Sequence, residues 1–398
     1  MQAKSVLATM TGRDRPGGTA ALLAALAAHD VDVRDIEQVV VRDRLILAVL
    51  VDIHGDPAGL RSSVAQAAAA LGMDCDVSVV DTDDPDGLPR RPGGSGGRSH
   101  VIVIGRPLRA GALGHLTQRL ADIGANVESI AQLSTRPVSS VEMIVRSPDP
   151  ALMRTVLVEC AEESGVDVAV EPAGLRRRAK RLVVLDVDST LIQDEAIDLL
   201  AARAGVSEQV VAITERAMGG DMEFADSLRE RVALLAGLPA CEVEAVRDAL
   251  RLTPGARTFV RTLLRLGFHV GIVSGGFTVL TDRFVSELGL EFSAANELAI
   301  VDGRVTGQVL GPIIDRAGKA DALRRFAAVY DVPLSQTVAV GDGANDIDML
   351  EAAGLGIAFN AKAALRAAAD ASLNFPYLDS VLFILGIPRE EIEAADLE

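Results

Sequence analysis

With 398 residues, 49% of them hydrophobic, the chain is long enough for two or three domains with large cores. Aromatics at 3%, no Trp and a net charge of −17 speak against a stacking platform or basic footprint for nucleic acid, so no such partner is expected. Cys75, Cys160 and Cys241 form no C-x-x-C pair, no apolar run reaches membrane-spanning length, and the N-terminus lacks a convincing signal peptide. A cytoplasmic protein with reduced thiols and no membrane partner is expected.

The first predicted elements are Val6–Met10, Ala20–Ala28, Val33–Val41, Leu45–Ile53, Leu60–Leu71 and Cys75–Val80. Read as strand, helix, strand, strand, helix, strand, they make a ferredoxin-like βαββαβ sandwich. Residues 81–97 (DTDDPDGLPRRPGGSGG) are acidic and Pro-rich, then Gly-rich, as a flexible linker is. The pattern then restarts with His100-Val-Ile-Val-Ile104, the loop GRPLRAGALG and a helix carrying Leu116, Leu120 and Ile123. At an offset of 94 residues Gly17 meets Gly111, Leu22 meets Leu116, Leu26 meets Leu120, Val33 meets Val127 and Gln38 meets Gln132. Two copies indicate a duplicated domain rather than a solenoid. The strand–Gly-loop–helix passage resembles the ACT domain, a small amino-acid-sensing module. The expected division is ACT domains over residues 1–84 and 98–174 with a linker over 85–97.

Residues 171–180 (EPAGLRRRAK) form a basic connector. Beyond it strands alternate with helices, the pattern of a doubly wound parallel sheet, in an α/β domain over 178–398. Its expected strands are Arg181–Leu185, His269–Val273, Thr337–Val340 and Leu355–Ala358. The helical stretch at about 194–252 is too long for one crossover and reads as an inserted cap.

Four features fall at or just beyond strand ends: Asp186-Val-Asp-Ser-Thr190, Ser274-Gly275-Gly276, Lys319, and Gly341-Asp-Gly-Ala-Asn-Asp346. Open α/β sheets place their ligands there. Neighbouring carboxylates repel and so ask for a cation; Mg²⁺ suits a few carboxylate oxygens plus a phosphate. Asp186 leaves the strand first and is the candidate nucleophile for a phosphoryl group. Asp188 is the candidate acid and base. Asp342 adds a third carboxylate. Ser274 and the Gly275 N–H can donate to phosphate oxygens, and Lys319 supplies a point charge. The Gly-Lys of GPIIDRAGKA lacks the spacing of a P-loop.

DVDST, SGG, Lys319 and GDGAND resemble the motifs of the haloacid dehalogenase superfamily of phosphatases. DVDSTLIQDEAID, AMGGDMEFADSLRERVALLAGLP and VAVGDGANDIDML bring the chain closest to its phosphoserine phosphatase family, over about residues 180–395. With two ACT-like domains in front it is similar to the actinobacterial type of that family. The resemblance implies hydrolysis of O-phospho-L-serine to L-serine and phosphate. It implies Mg²⁺ held by Asp186, by the Asp188 backbone carbonyl and by Asp342. It also implies substrate contacts from Glu195, Arg231, Ser274, Gly275, Lys319 and Asn345, with Phe224 in the cap. A homodimer through the ACT domains is expected, with Gly17 and Gly111 letting backbone N–H groups approach an effector such as L-serine. Phosphoryl transfer to an alcohol such as homoserine, or amino-acid sensing without catalysis, are the alternatives.

Overall fold

The computed structural model describes residues 4–54, 57–80, 97–218 and 221–396. The linker expected over 85–97 therefore lies outside the described residues, except for Gly97. The chain folds as two units, Met1–Pro92 and Gly93–Glu398.

In the first unit β1 (Lys4–Arg13), α1 (Gly18–Ala27), β2 (Val31–Val41), β3 (Arg44–Ile53), α2 (Pro57–Leu71) and β4 (Asp74–Val80) follow the expected order. The antiparallel sheet runs β2-β3-β1-β4. Its core follows from two periodicities. Alternate residues Val6, Ala8 and Met10 of β1 and Leu47, Val49 and Val51 of β3 face one side. There they meet Leu22 and Leu26 of α1 and Leu60, Val64 and Ala68 of α2, each spaced by one helical turn. Each Val, Leu or Met among them contributes about 1.5–3 kcal/mol by leaving water.

The second unit opens with the same plan in β5 (Gly97–Gly105), α3 (Ala110–Asp122), β6 (Asn126–Ser134), β7 (Ser139–Ser147), α4 (Pro150–Ser164) and β8 (Asp167–Pro172). The duplication extends to an irregularity. Arg34 bulges out of the β2–β3 ladder and pairs with Asp52 of β3. At an offset of 94 residues Glu128 bulges out of the β6–β7 ladder and pairs with Arg146 of β7. The ion pair keeps its place while its charges are exchanged.

After α5 (Leu175–Arg178) and β9 (Leu182–Leu185), four helices cover one end of the sheet: α6 (Ala196–Ala204), α7 (Ser207–Met218), α8 (Phe224–Ala233) and α9 (Ala240–Ala249). The sheet then continues through α10 (Ala256–Arg265), β10 (His269–Phe277), α11 (Thr278–Leu288), β11 (Phe292–Val301), β12 (Arg304–Leu310), α12 (Arg316–Val329) and β13 (Thr337–Gly341). It closes with α13 (Ile347–Ala352), β14 (Gly356–Phe359), α14 (Ala363–Ala368), β15 (Ala371–Leu373), α15 (Val381–Ile384) and α16 (Arg389–Asp396). Strands β11, β10, β9, β13, β14 and β15 are parallel neighbours in that order, and β12 is antiparallel at the edge.

The sheet does not end there. β15 pairs antiparallel with β8 at Ala371 and Ala169, so eleven strands run from β12 to β6. This join explains a contrast between the two copies. β1 alternates, whereas Val101-Ile-Val-Ile104 of β5 is continuously apolar, as a strand covered on both faces is. Val101 and Val103 face α3 and α4, while Ile102 and Ile104 join the core that contains Leu382 and Phe383.

Polar contacts lock the seam. Arg177 pairs with Glu142 (2.6 Å) and Glu171 (3.1 Å) and donates to the Ile384 carbonyl (3.2 Å). Asp167 accepts from the Asn374 backbone N–H (2.7 Å) and side-chain amide (2.6 Å). Burial nevertheless lifts its carboxyl to about 6, against those two bonds and Arg366. Folding thus binds a proton between the ordinary carboxylate range and about 6, so stability falls as pH rises through that window and levels off above it. A shift of roughly two units corresponds to about 3 kcal/mol. The Tm of Asp167→Asn minus that of the parent should therefore climb between about pH 4 and 7; a flat difference would show that the seam does not bury that charge.

Candidate active site

β9 lies between β10 and β13, and all four of its residues are buried. DVDST therefore emerges at the C-terminal edge in the middle of the sheet. The Asp186 N–H donates to the Val340 carbonyl (2.9 Å), which holds the first carboxylate in line with the strand. The chain then turns through Val187–Leu191, with Asp188 extended and Ser189 at φ +55°. A left-handed serine costs about 1 kcal/mol or more. Here it aims the Ser189 hydroxyl at Glu195 Oε1 (2.8 Å).

Lys319, on the first turn of α12, carries the charge at the centre. It is 1% exposed, and its Nζ donates to Asp186 Oδ1 (2.6 Å) and Asp346 Oδ1 (2.7 Å). Asp315 N-caps α12 by accepting the Gly318 N–H (2.8 Å), which fixes that first turn. Burial opposes the ammonium charge, but Asp186 and Asp346 outweigh it and hold Lys319 protonated beyond an ordinary lysine. Asp346 also accepts the Gly343 N–H (3.0 Å), and a Cβ at Gly341 would collide with its carboxyl.

Oxygens of Asp186, Asp342 and Asp346 lie within 4.8 Å of one another. Burial and then Asp346 push Asp186 well above its ordinary range, and Lys319 pulls the other way. Burial, then Asp346 and Glu195, raise Asp342 to about 7. One lysine against three carboxylates leaves excess negative charge, and the donors are all hard oxygens. The set fits a small divalent cation.

Asp188 faces elsewhere. Its Oδ1 accepts the Ala196 N–H at the head of α6 (2.8 Å), and its Oδ2 accepts the Ser274 hydroxyl (3.3 Å). Val187, Ile192, Leu250, Phe277 and Phe284 line a small apolar hollow beside it. Burial raises its carboxyl, against the Ala196 and Ser274 hydrogen bonds and the charge of Lys319. Ser274 is fully buried and accepts the Gly276 N–H (2.8 Å). Gly275 lies under the cap: a Cβ there would stand 2.9 Å from Phe224 Cζ of α8.

Glu195 is the N-cap residue of α6; burial and then Asp188 raise its carboxyl. Arg231, in the last turn of α8, donates from Nε to the Ser227 carbonyl (3.3 Å). Burial lowers its pKa, while Asp198, Glu195 and Asp188 hold its charge. Asn345 is half-buried in the turn Ala344–Asp346.

The expected residues of the catalytic half thus converge on one sheet edge and the cap above it. Two further side chains join them. Asp346 lies within the GDGAND stretch, four residues after Asp342, but carries no role in the sequence reading. Asn296 has no motif around it and emerges only from its contacts. Gly17 and Gly111 do not match in structure. Gly17 precedes α1 at φ +98°, whereas Gly111 lies inside α3. In the 94-residue offset frame β5 ends and α3 starts two residues earlier than β1 and α1 do, which places Gly111 inside its helix. Among the described residues, apart from chain neighbours and the helix's own backbone, no heavy atom lies within 4 Å of a Cβ built at either.

Residues 183–351 match the haloacid dehalogenase-like hydrolases, and residues 4–78 and 98–171 each match an ACT domain. The phosphoserine phosphatase of Streptomyces coelicolor is 53% identical over 98% of this chain and 94% of its own length. That of Mycobacterium tuberculosis is 54% identical over 98% of this chain and 95% of its own. A solved phosphoserine phosphatase with a phospho-aspartyl intermediate analogue is 41% identical with a TM-score of 0.50, over 52% of this chain and 98% of that one. Similarity over nearly the full length, together with a carboxylate–lysine site at the sheet edge, leads to one conclusion: the chain belongs to the phosphoserine phosphatase family of haloacid dehalogenase-like hydrolases, with two ACT domains ahead of its catalytic part.

Proposed function

We propose that the chain hydrolyses O-phospho-L-serine to L-serine and inorganic phosphate through an aspartyl-phosphate on Asp186, the step that ends serine biosynthesis. The observation that carries the reading is Lys319 Nζ clamped between Asp186 and Asp346, with Asp188 held separately by Ala196 and Ser274. The clamp holds the Asp186 carboxyl rigid, and Lys319 counters part of the burial and repulsion that oppose its charge, leaving it placed to attack phosphorus. As the P–O bond to the serine oxygen breaks, Asp188 gives that oxygen its proton. Water then attacks phosphorus, Asp188 takes a proton from it, and the Asp186–phosphorus bond breaks to restore the carboxylate. Ser274, the Gly275 N–H, Asn345 and Lys319 bind the phosphate oxygens.

Asp186, the Asp188 carbonyl and Asp342 would hold Mg²⁺, with Asp346 beside them. When bound, Mg²⁺ neutralises charge on the phosphoryl group. Glu195 pairs with the substrate ammonium, and Arg231 forks its carboxylate. Phe224, lying on Gly275, closes the cap over the phosphate and excludes water.

A phosphate-release panel tests this reading without an added alcohol acceptor, which separates hydrolysis from phosphotransfer. Arg231→Ala should raise KM for phosphoserine about 30- to 100-fold more than for a phosphate ester without a carboxylate, as expected for a charge-assisted contact worth about 2–3 kcal/mol. Equal losses on both would remove Arg231 from carboxylate recognition.

The ACT pair is proposed to bind a free amino acid, L-serine, and to join two copies of the chain in the cytoplasm. The edge strands β2 and β6 support pairing, since they leave Val33, Val39, Val41 and Ile130 exposed. Repeating the panel with free L-serine, on the parent and on Gly17 and Gly111 variants, separates regulation from product competition.

A further inference from the structure

Among the described residues, one buried side chain ties together two loops of the site without belonging to either. Asn296 of β11 is 1% exposed. It stands opposite Phe277 where the β10–β11 ladder reforms; between Val273 and Phe277 the register shifts and Ser274-Gly275-Gly276 leaves the pairing. Its Nδ2 donates to the Gly275 carbonyl (2.9 Å), and its Oδ1 accepts the Ile314 N–H (2.7 Å). Ile314 precedes Asp315, the cap of α12, and Lys319 sits on that helix's first turn. One amide thus spans the two segments that present the Gly275 N–H and the Lys319 ammonium.

Both bonded groups are main-chain: the Gly275 carbonyl lies where the β10–β11 ladder is interrupted, and the Ile314 N–H lies between β12 and α12. A side chain with one donor and one acceptor on the same planar head is what this gap accepts. Valine or leucine there would remove both bonds.

We propose that Asn296 is a positioning residue: it sets the spacing between the Ser274–Gly275 turn and Lys319, so that both meet the same phosphoryl group. The proposal rests on the phosphatase reading and adds to it a residue that never touches substrate. Displacements near 1 Å at such a site can lower rates about 100-fold.

The test uses the full-length protein and three variants. Asn296→Leu removes both bonds and keeps the number of side-chain heavy atoms. Asn296→Asp keeps the acceptor for Ile314 and, when ionised, loses the donor to Gly275; when protonated, its carboxyl again offers one donor and one acceptor. Asn296→Ala controls for packing. Measurements are kcat, KM and inhibition by inorganic phosphate, at a temperature where melting curves show every variant folded.

Asn296→Leu is expected to lower kcat about 30- to 100-fold, by the displacement argument above, and to weaken inhibition by inorganic phosphate. The KM ratio between phosphoserine and an ester without a carboxylate should stay unchanged, because amino-acid recognition lies elsewhere. The activity of Asn296→Asp relative to the parent should rise as pH falls, which a purely structural role would not produce. Folded Asn296→Leu with kcat within threefold of the parent, or a flat Asn296→Asp to parent ratio across pH, overturns the proposal. A parent that releases no phosphate from phosphoserine overturns instead the functional reading on which it stands.

Discussion

Replacing Asp186 by asparagine is expected to lower kcat by about 10⁴-fold or more, since removing a nucleophile that acts as part of a unit abolishes the covalent route. The fold should survive. Asp186 is 3% exposed, and burial and Asp346 already disfavour its charge, so a neutral isostere relieves repulsion there. Lys319 retains Asp346 as its counter-ion (2.7 Å). The melting temperature should therefore stay near the parent's or rise. Beryllium fluoride, which adds to a carboxylate as a phosphate mimic, should stabilise the parent and not Asp186→Asn. Near-normal turnover by Asp186→Asn would eliminate Asp186 as the nucleophile and with it the aspartyl-phosphate.

Lys319→Met is expected to damage both rate and fold. Loss of one fixed donor to the developing phosphoryl charge costs about 10²- to 10³-fold in kcat. Loss of the cation that Asp186 and Asp346 share in a buried cluster costs about 3–5 kcal/mol, because the two carboxyls are left facing each other. The same excess of negative charge should tighten divalent-cation binding, opposite in direction to the loss of activity. Titration of Mg²⁺ against thermal stability reads that sign directly. Lys319→Arg should not rescue, since a planar guanidinium does not fit the space of a fully enclosed, compact ammonium. A Lys319→Met protein with parental stability and weaker metal binding would show that the lysine does not balance the carboxylates.

The two predictions differ because the same cluster responds oppositely to losing an anion or a cation. That response depends on Asp346 as much as on Asp186. Spacing along the chain places Asp346 beside Asp342, but only the approach of α12 brings Lys319 against it.

Local pattern was enough to read the duplicated βαββαβ plan, the parallel strands and the cap. Each depends on periodicities of two or 3.6 residues and on turn chemistry carried within a short stretch. The candidate site motifs were visible for the same reason: DVDST and GDGAND each hold several groups on one strand end. Other features involve groups far apart in sequence. β15 is three residues long, too short to register as a strand, and it joins β8 through a single pair at Ala371 and Ala169. The continuous run in β5 carried a trace of that join, since both its faces had to be covered. Gly17 and Gly111 align by offset yet take different backbone positions, because helix start depends on loop closure. Asn296 reaches Gly275 across 21 residues and Ile314 across 18, with no motif to mark it. By itself the sequence determined the duplicated βαββαβ plan, the strands β9, β10, β13 and β14, and which groups were candidates for phosphoryl chemistry, but not β11, β12 or β15. The tertiary structure alone decided which carboxylates share Lys319, what spans the Ser274–Gly275 turn and the segment before α12, and where the second ACT sheet ends, because buried charge and backbone groups outside a ladder are settled by partners that only packing brings within reach.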